Sequence, residues 1–389
     1  MTAPHLILYG MSASLYTGKV RAYLLHHGLP FEERGAGHPE FLNHIVPQIG
    51  RWIIPVLVLP DGTVLQDGTS IIDHFETTGQ GRFSIVPDDP VLRSVAHLFE
   101  LFGGEGLLRP AMHYRWNFDA GNLDFLKVSF SEAFSPGLNP DQQAAMFDQA
   151  SGRMRQAAAA FGVSAESEAV IEARYTEFLS LFDAHLSQHA FLLGGRPTLG
   201  DYGLMNGLYA HLARDPHPAL IMKRDAPRIF AWTERMMRPP RDTHFITGGS
   251  EGLVDTIPSS LRSLMRFVAD DFLPELSAHI AFANQWLEDQ FEGQVKSQLP
   301  DSRQDGIKRS IGMAQFDWHG LSLKTAVMPY RFWMQQRLTD HLEQCEPTTQ
   351  SAIRELFAQT GLNDMLDLRV RRRVERRDNR EYWEDEIAP

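Results

Sequence analysis

Hydroxyls, a proline and a carboxylate stand in a fixed order near the start of this chain. Ser12 and Ser14 follow the apolar run His5-Leu6-Ile7-Leu8-Tyr9. Pro55 lies in Trp52-Ile53-Ile54-Pro55-Val56-Leu57, and Asp67 opens Asp67-Gly68-Thr69-Ser70. A strand-end hydroxyl, a strand-opening proline and a polar helix start describe a site for a peptide-like anion carrying a thiol. Ser14 falls where a strand gives way to a helix, so amides and the positive end of the helix dipole face whatever binds there. A thiol at such a position shifts toward the reactive thiolate, and a hydroxyl donating to the sulfur favours the anion further. The single cysteine, Cys345, is far along the chain. The thiol must therefore come from the ligand, and a dithiol mechanism is excluded. Ser14 is equally a natural helix N-cap, and Ser12 and Tyr9 are rivals for the activating hydroxyl.

The elements that must position these residues alternate strand and helix over residues 1–80. His5 to Tyr9 reads as a buried strand, Leu15 to His27 as a helix stopped at Gly28, and Phe31 to Arg34 as a short strand. Pro60-Asp61-Gly62 is a turn signal between two further strands. Thr69 to Thr77 reads as a helix ended by Gly79. Residues 79–90 form a polar, Pro- and Gly-containing linker. From Val91 onward strand signals nearly vanish, and residues 117–140 read as a loop between helices. Thr198 and Asp201 stand three apart before the apolar run Tyr202 to Leu212, the spacing of a capping box and a structural role. Thr247-Gly248-Gly249-Ser250 marks a second boundary. Beyond it residues 259–291, 323–345 and the tail read as helical. The six arginines between Arg369 and Arg377 are interleaved and followed by acids, the pattern of a solvated, salt-bridged helix. The fold class is α/β plus all-α, with domains at 1–80, 91–246 and 251–389.

Composition excludes several functions. A net charge of −12 opposes general binding to nucleic acid or an anionic membrane. The N-terminus has no basic stretch followed by an apolar one, so no secretory signal is expected, and one cysteine fits a reducing cytoplasm. No metal is expected: the histidines show no His-Glu-x-x-His or Cys/His ligand spacing. His26-His27 at a helix end complement the dipole instead. Phosphate-loop and dinucleotide fingerprints are missing as well.

From residue 5 to roughly 240 the arrangement resembles the glutathione transferase family. The resemblance rests on Ser14-Leu15-Tyr16-Thr17-Gly18-Lys19-Val20-Arg21, Ile54-Pro55-Val56-Leu57, Asp67-Gly68-Thr69-Ser70-Ile71-Ile72, Pro197-Thr198-Leu199-Gly200-Asp201, and Ala226-Pro227-Arg228 followed by Trp232 and Arg235-Met236. It implies a thioredoxin-like N-terminal domain, a helical second domain, and an additional helical extension. It also implies glutathione as co-substrate, a small apolar electrophile and a homodimer. Ser14 would stabilise the glutathione thiolate, with Ser12 and Tyr9 as alternatives, and a Ser rather than a Cys there suits conjugation over disulfide exchange. Pro55 would be cis, leaving the Ile54 main chain to pair with the cysteinyl unit. Tyr114, Arg115 and Trp116, with His113, would face the electrophile, although such a cluster also serves as core.

Two positions depart from the family pattern. Asp67-Gly68 replaces an acid or Gln followed by Ser, so the amide that holds the γ-glutamyl carboxylate remains while the hydroxyl is lost. The loss of one hydrogen bond to a charged group amounts to about 1.5–3 kcal/mol. Asp67 would pair with the ligand amine or act as a plain helix cap. Ile53 stands where relatives carry Lys or Gln for the glycyl end, with Arg51 as a substitute. These departures keep two alternatives open: a binding or scaffold protein without chemistry, and a glutathione-dependent lyase or isomerase. The extension would cap the electrophile pocket, extend a dimer contact or bind another protein.

Overall fold

The computed structural model describes residues 5–135, 137–238, 252–291 and 309–387; the boundary at residues 247–250 lies outside them. The first sheet contains β1 (Leu6–Gly10), β2 (Phe31–Gly35), β3 (Val56–Val58) and β4 (Val64–Gln66), in the order β2-β1-β3-β4. β1 runs parallel to β2, with Leu8 beside Glu33, and antiparallel to β3, with Leu8 beside Leu57. The central place of β1 accounts for its apolar sequence: Leu8 and Tyr9 are fully buried. Helix α1 (Leu15–His26) connects β1 to β2. The short α2 (Val46–Ile49) precedes β3, and α3 (Gly68–Thr78) follows β4. Gly28 and Gly79 stop α1 and α3 at φ of 62° and 65°, the left-handed region glycine enters freely.

The second, helical domain contains α4 (Pro90–Leu101), α5 (Leu108–Trp116), α6 (Asp119–Phe134), α7 (Pro140–Ala160), α8 (Glu168–Leu186), α9 (Leu199–Gly207), α10 (Pro216–Asp225) and α11 (Pro227–Met236). A π-helical turn, Phe102–Gly106, separates α4 from α5. Gly103 lets the main chain of α9 approach there: a Cβ on it would stand 2.4 Å from the Gly203 carbonyl carbon. The capping box at α9 is present, and Asp201 also accepts from the Leu192 amide and the Trp232 indole N–H. Residues 117–140 do not loop. They contain α6, whose Leu126, Phe130 and Phe134 recur every four residues and are buried, a period that outweighs Gly121.

The C-terminal extension carries α12 (Ser259–Asp271), α13 (Leu273–Phe291), α14 (Pro329–Gln344) and α15 (Pro347–Gln359), and also two hairpins; the second, with most of the first one's second strand, falls where the sequence reading assigned helix. β5 (Gly312–Trp318) pairs with β6 (Leu321–Val327), and β7 (Arg372–Arg377) with β8 (Arg380–Ile387). Ala314, Phe316 and Trp318 are buried alternately, a period of two. The turns His319-Gly320 and Asp378-Asn379 both hold two successive positive φ values, the two-residue loop that matches strand twist. The arginine-rich tail is therefore a strand pair. Its charges are paired across and beyond the ladder, for example Arg373 with Asp340 and Arg377 with Glu384.

Neutral histidines tie the layers together. His26 donates to the Arg235 carbonyl at 3.0 Å and accepts from Tyr202 at 2.9 Å; His185 donates to the Leu192 carbonyl and accepts from Ser260. Burial pushes both imidazoles down to about 4. The unfolded chain protonates them near 6.5, so it binds more protons than the native state below that pH and stability falls on acidification. Each withdraws about 1.4 kcal/mol per pH unit. Asp201, which burial pushes up to about 6, works in the opposite sense below 6 and offsets part of the loss. The expected result is an unfolding free energy about 3 kcal/mol lower at pH 5 than at pH 8, read from urea curves; an unchanged value would contradict the buried, neutral assignment.

Candidate active site

The chain leaves β1 at Gly10, turns through Met11 to Ala13 and enters α1 at Ser14. The Ser14 amide donates to the Met11 carbonyl at 3.1 Å, and the Ser14 hydroxyl accepts from the Thr17 amide at a long 3.3 Å. Ser14 is thus the N-cap of α1, and it also lines a cavity of about 420 Å³. Arg115 holds this loop from below. Its guanidinium makes a bidentate pair with buried Asp215 at 2.6 and 2.8 Å and donates to the Ala13 carbonyl at 2.7 Å. A buried, bidentate pair with a third donor on the main chain fixes the residue next to Ser14.

The cavity has two unlike halves. One is apolar, walled by Met11, Trp52, Met112, Phe130, Phe134 and Met154 from the first two domains. The other is charged, with Arg51, Asp67 and the extension residues Arg309, Tyr330, Arg376 and Glu381. The Ile54–Pro55 peptide bond is cis, and Ile54, on the cavity wall, stands outside the strand ladder.

The remaining candidates separate. Tyr9 is fully buried, stacks on Phe41 and lies off the cavity. Burial pushes its hydroxyl up to about 12. Ser12 does not line the cavity either. Ile53, Ile54, Pro55 and Arg51 do. Of the expected electrophile wall, Arg115 reaches the cavity but is engaged by Asp215. Tyr114 packs among Phe118 and Tyr175, and Trp116 against Phe130, away from it. Met112, one turn earlier, takes the lining position.

Asp67 caps α3, accepting from the Ser70 amide at 3.1 Å through Oδ2, while Oδ1 accepts from the Tyr330 hydroxyl at 2.8 Å. Its φ of +83° turns the chain sharply from β4 into the helix. Gly68 faces a small side space of about 10 Å³, lined with it by Tyr330 and Met334, and that space is comparable to one water. A Cβ on Gly68 would meet its neighbours no closer than 3.4 Å, so α1 is not what keeps a side chain out of this position. Arg309, Arg376 and Glu381 escaped the sequence reading as site residues. The segment Pro329-Tyr330-Arg331-Phe332-Trp333-Met334 reads as aromatic enough to line a pocket, with core as the default, and Tyr330 does line this one; nothing in it or in the arginine run tied either to a site some 250 or more residues earlier.

Residues 8–82 match the family described as glutathione S-transferase, N-terminal domain, and residues 136–240 match glutathione S-transferase, C-terminal domain. Over these two segments the chain carries both domains of the glutathione transferase family. Among solved structures it is similar to the beta-etherase LigF from Sphingobium sp. strain SYK-6, at 19% identity over 60% of this chain and 96% of that one, with a TM-score of 0.41. It is also similar to glutathione transferase GSTFuA3 from Phanerochaete chrysosporium, at 16% identity over 60% of this chain and 97% of that one, TM-score 0.42. A third is rice GST1 (OsGSTU1) in complex with glutathione, at 16% identity over 63% and 94%, TM-score 0.39. No curated protein matches the chain.

Proposed function

We propose that the protein is a glutathione-dependent transferase in which Ser14 stabilises the glutathione thiolate against an apolar electrophile. The observation that carries this reading is the position of Ser14. It caps α1 on the wall of a cavity whose apolar half adjoins that helix start. In the proposed mechanism the Ser14 hydroxyl donates to the sulfur, and the first amides of α1 add their partial positive charge. Met112, Phe130 and Phe134 exclude water and seat the electrophile, and the thiolate attacks it to form a carbon–sulfur bond as the leaving group departs. Arg115 acts as a positioning residue through the Ala13 carbonyl. A lyase or isomerase would use the same sulfur and differ in the substrate alone.

The small space at Gly68 favours a second reading, a transferase-like binding protein without chemistry. Titration of the full chain with millimolar glutathione distinguishes them. The enzyme reading expects binding heat, a raised Tm and turnover with an aryl halide electrophile. Binding without turnover would favour the second reading, and neither heat nor a thermal shift would remove the first.

A further inference from the structure

The charged half of the cavity carries more cations than its own carboxylates neutralise. Arg51 reaches Glu381 at 3.3 Å, and Arg376 pairs with the same carboxylate. Both guanidinium groups also converge on one amide oxygen, Gln66 Oε1, at 2.8 and 2.9 Å. Each of these side chains is over nine-tenths buried, and the Nε–H of each finds no acceptor. Arg309 completes the group. It lines the same wall and makes no ion pair with a described carboxylate. Burial and the adjacent Arg51 pull it down to about 10; Glu381 opposes them and Arg376 adds to them. The other carboxylates on the wall are engaged: Asp67 serves the α3 cap and Tyr330, and Glu105 pairs with Arg331.

Buried cations without counter-charges are costly, and an anion entering between them relieves that cost. This cluster of cations stands in a chain of net charge −12. It also lies close to Gly68, where the side space has no room for a carboxylate.

We infer that Arg51 of the first domain and Arg309 and Arg376 of the extension form a carboxylate-binding subsite, so that the ligand's acidic group is held by the C-terminal extension rather than at Gly68. This deepens the glutathione reading where the carboxylate belongs to the thiol ligand. It stands without that reading where the carboxylate belongs to another substrate. Guanidinium groups suit the task because their planar donors match two carboxylate oxygens.

The test uses the full chain and Arg309→Gln, with Arg309→Lys as the variant that keeps the charge. The probes are glutathione, glutathione diethyl ester and succinate, read by calorimetry and thermal shift. Wild type is expected to bind glutathione about ten times or more tighter than the diester, as loss of a charge-assisted contact implies. Arg309→Gln erases that difference while Arg309→Lys retains most of it. Succinate raises the Tm of wild type and Arg309→Lys, and not of Arg309→Gln. If glutathione and its ester bind alike but the succinate shift still depends on Arg309, the subsite stands and serves a second substrate. If glutathione gives no heat and the succinate shift still depends on Arg309, the thiol reading fails and the subsite stands. Equal binding of both acids to wild type and Arg309→Gln, or no binding of either to wild type, overturns the subsite.

Discussion

Ser14→Ala lowers turnover with glutathione by about 10²-fold or more, the usual consequence of removing one positioned donor from a developing or stabilised anion. The proposed role of the hydroxyl needs separating from its observed one. Its oxygen accepts from the Thr17 amide at 3.3 Å as the α1 cap, and loss of a cap costs about 1 kcal/mol of stability. Glycine is a good cap replacement, so Ser14→Gly isolates the chemistry: the fold is retained and turnover falls as far as in Ser14→Ala. The effect should appear in kcat more than in KM, because the hydroxyl meets the sulfur while the peptide is held elsewhere. The pH profile supplies a signature that a cap alone would not. Without the donor the bound thiol ionises at higher pH, and the basic rise of kcat/KM moves upward with it. Undiminished turnover in both variants would take the role from Ser14, and it could not pass to Tyr9, whose buried hydroxyl lies off the cavity with its pKa pushed up to about 12.

That the place of Ser14 at a helix start could be read from the sequence, while the places of Arg309 and Arg376 on the cavity wall could not, has a physical cause. A strand, a polar loop and a capped helix are local events, written in consecutive residues through propensity and capping. The proline before β3 and the Asp67 cap of α3 are equally local, and the positions of Ile54 and Asp67 followed from them. The charged wall depends on contacts across more than 300 residues: Asn379, in a hairpin turn, accepts from the Gln66 amide and thereby docks the C-terminus on the edge strand β4. Sequence periodicity carries no information about such docking. The hairpins were missed for another reason. Arginines and glutamates in β7 and β8 mask the period of two, and Val374 and Trp383 are the buried hydrophobics among the hairpin's described side chains. Tyr114 and Trp116 show the converse limit: an aromatic cluster on a helix announces burial, and whether it faces core or cavity is decided by the helices packed on it.

Arg331→Met destabilises the protein by about 3–5 kcal/mol, the range for stripping one partner from a buried ion network. Arg331 comes from α14 and is 2% exposed. It donates to Glu275 of α13 at 2.9 Å, to Glu105 of the π-helical turn at 3.3 Å, and to His279 at 3.0 Å. Glu275 keeps a second partner in Arg109 at 2.6 Å, whereas Glu105 has no other cation among the described residues. The penalty therefore falls on Glu105. Burial already raises its carboxyl, with Arg331 the main opposing influence. With Arg331 gone the native state holds the Glu105 proton still more firmly than the unfolded chain does. Stability is then lost as pH rises above the unfolded carboxylate range and regained as it falls. Urea unfolding should show the largest difference from wild type near pH 8 and a smaller one near pH 5. Adding Glu105→Gln to Arg331→Met should restore part of the loss at pH 8, since the uncompensated charge is removed. Equal losses at both pH values, with no recovery in the double variant, would assign the effect to packing alone. The site should register the same change, because Tyr330 precedes Arg331 on α14 and its hydrogen bond to Asp67 holds the wall between the cavity and Gly68. A network that anchors the extension to the π-helical turn thus keeps that wall in place. Loosening it should weaken succinate and glutathione binding together, even though the substituted side chain itself would touch neither ligand.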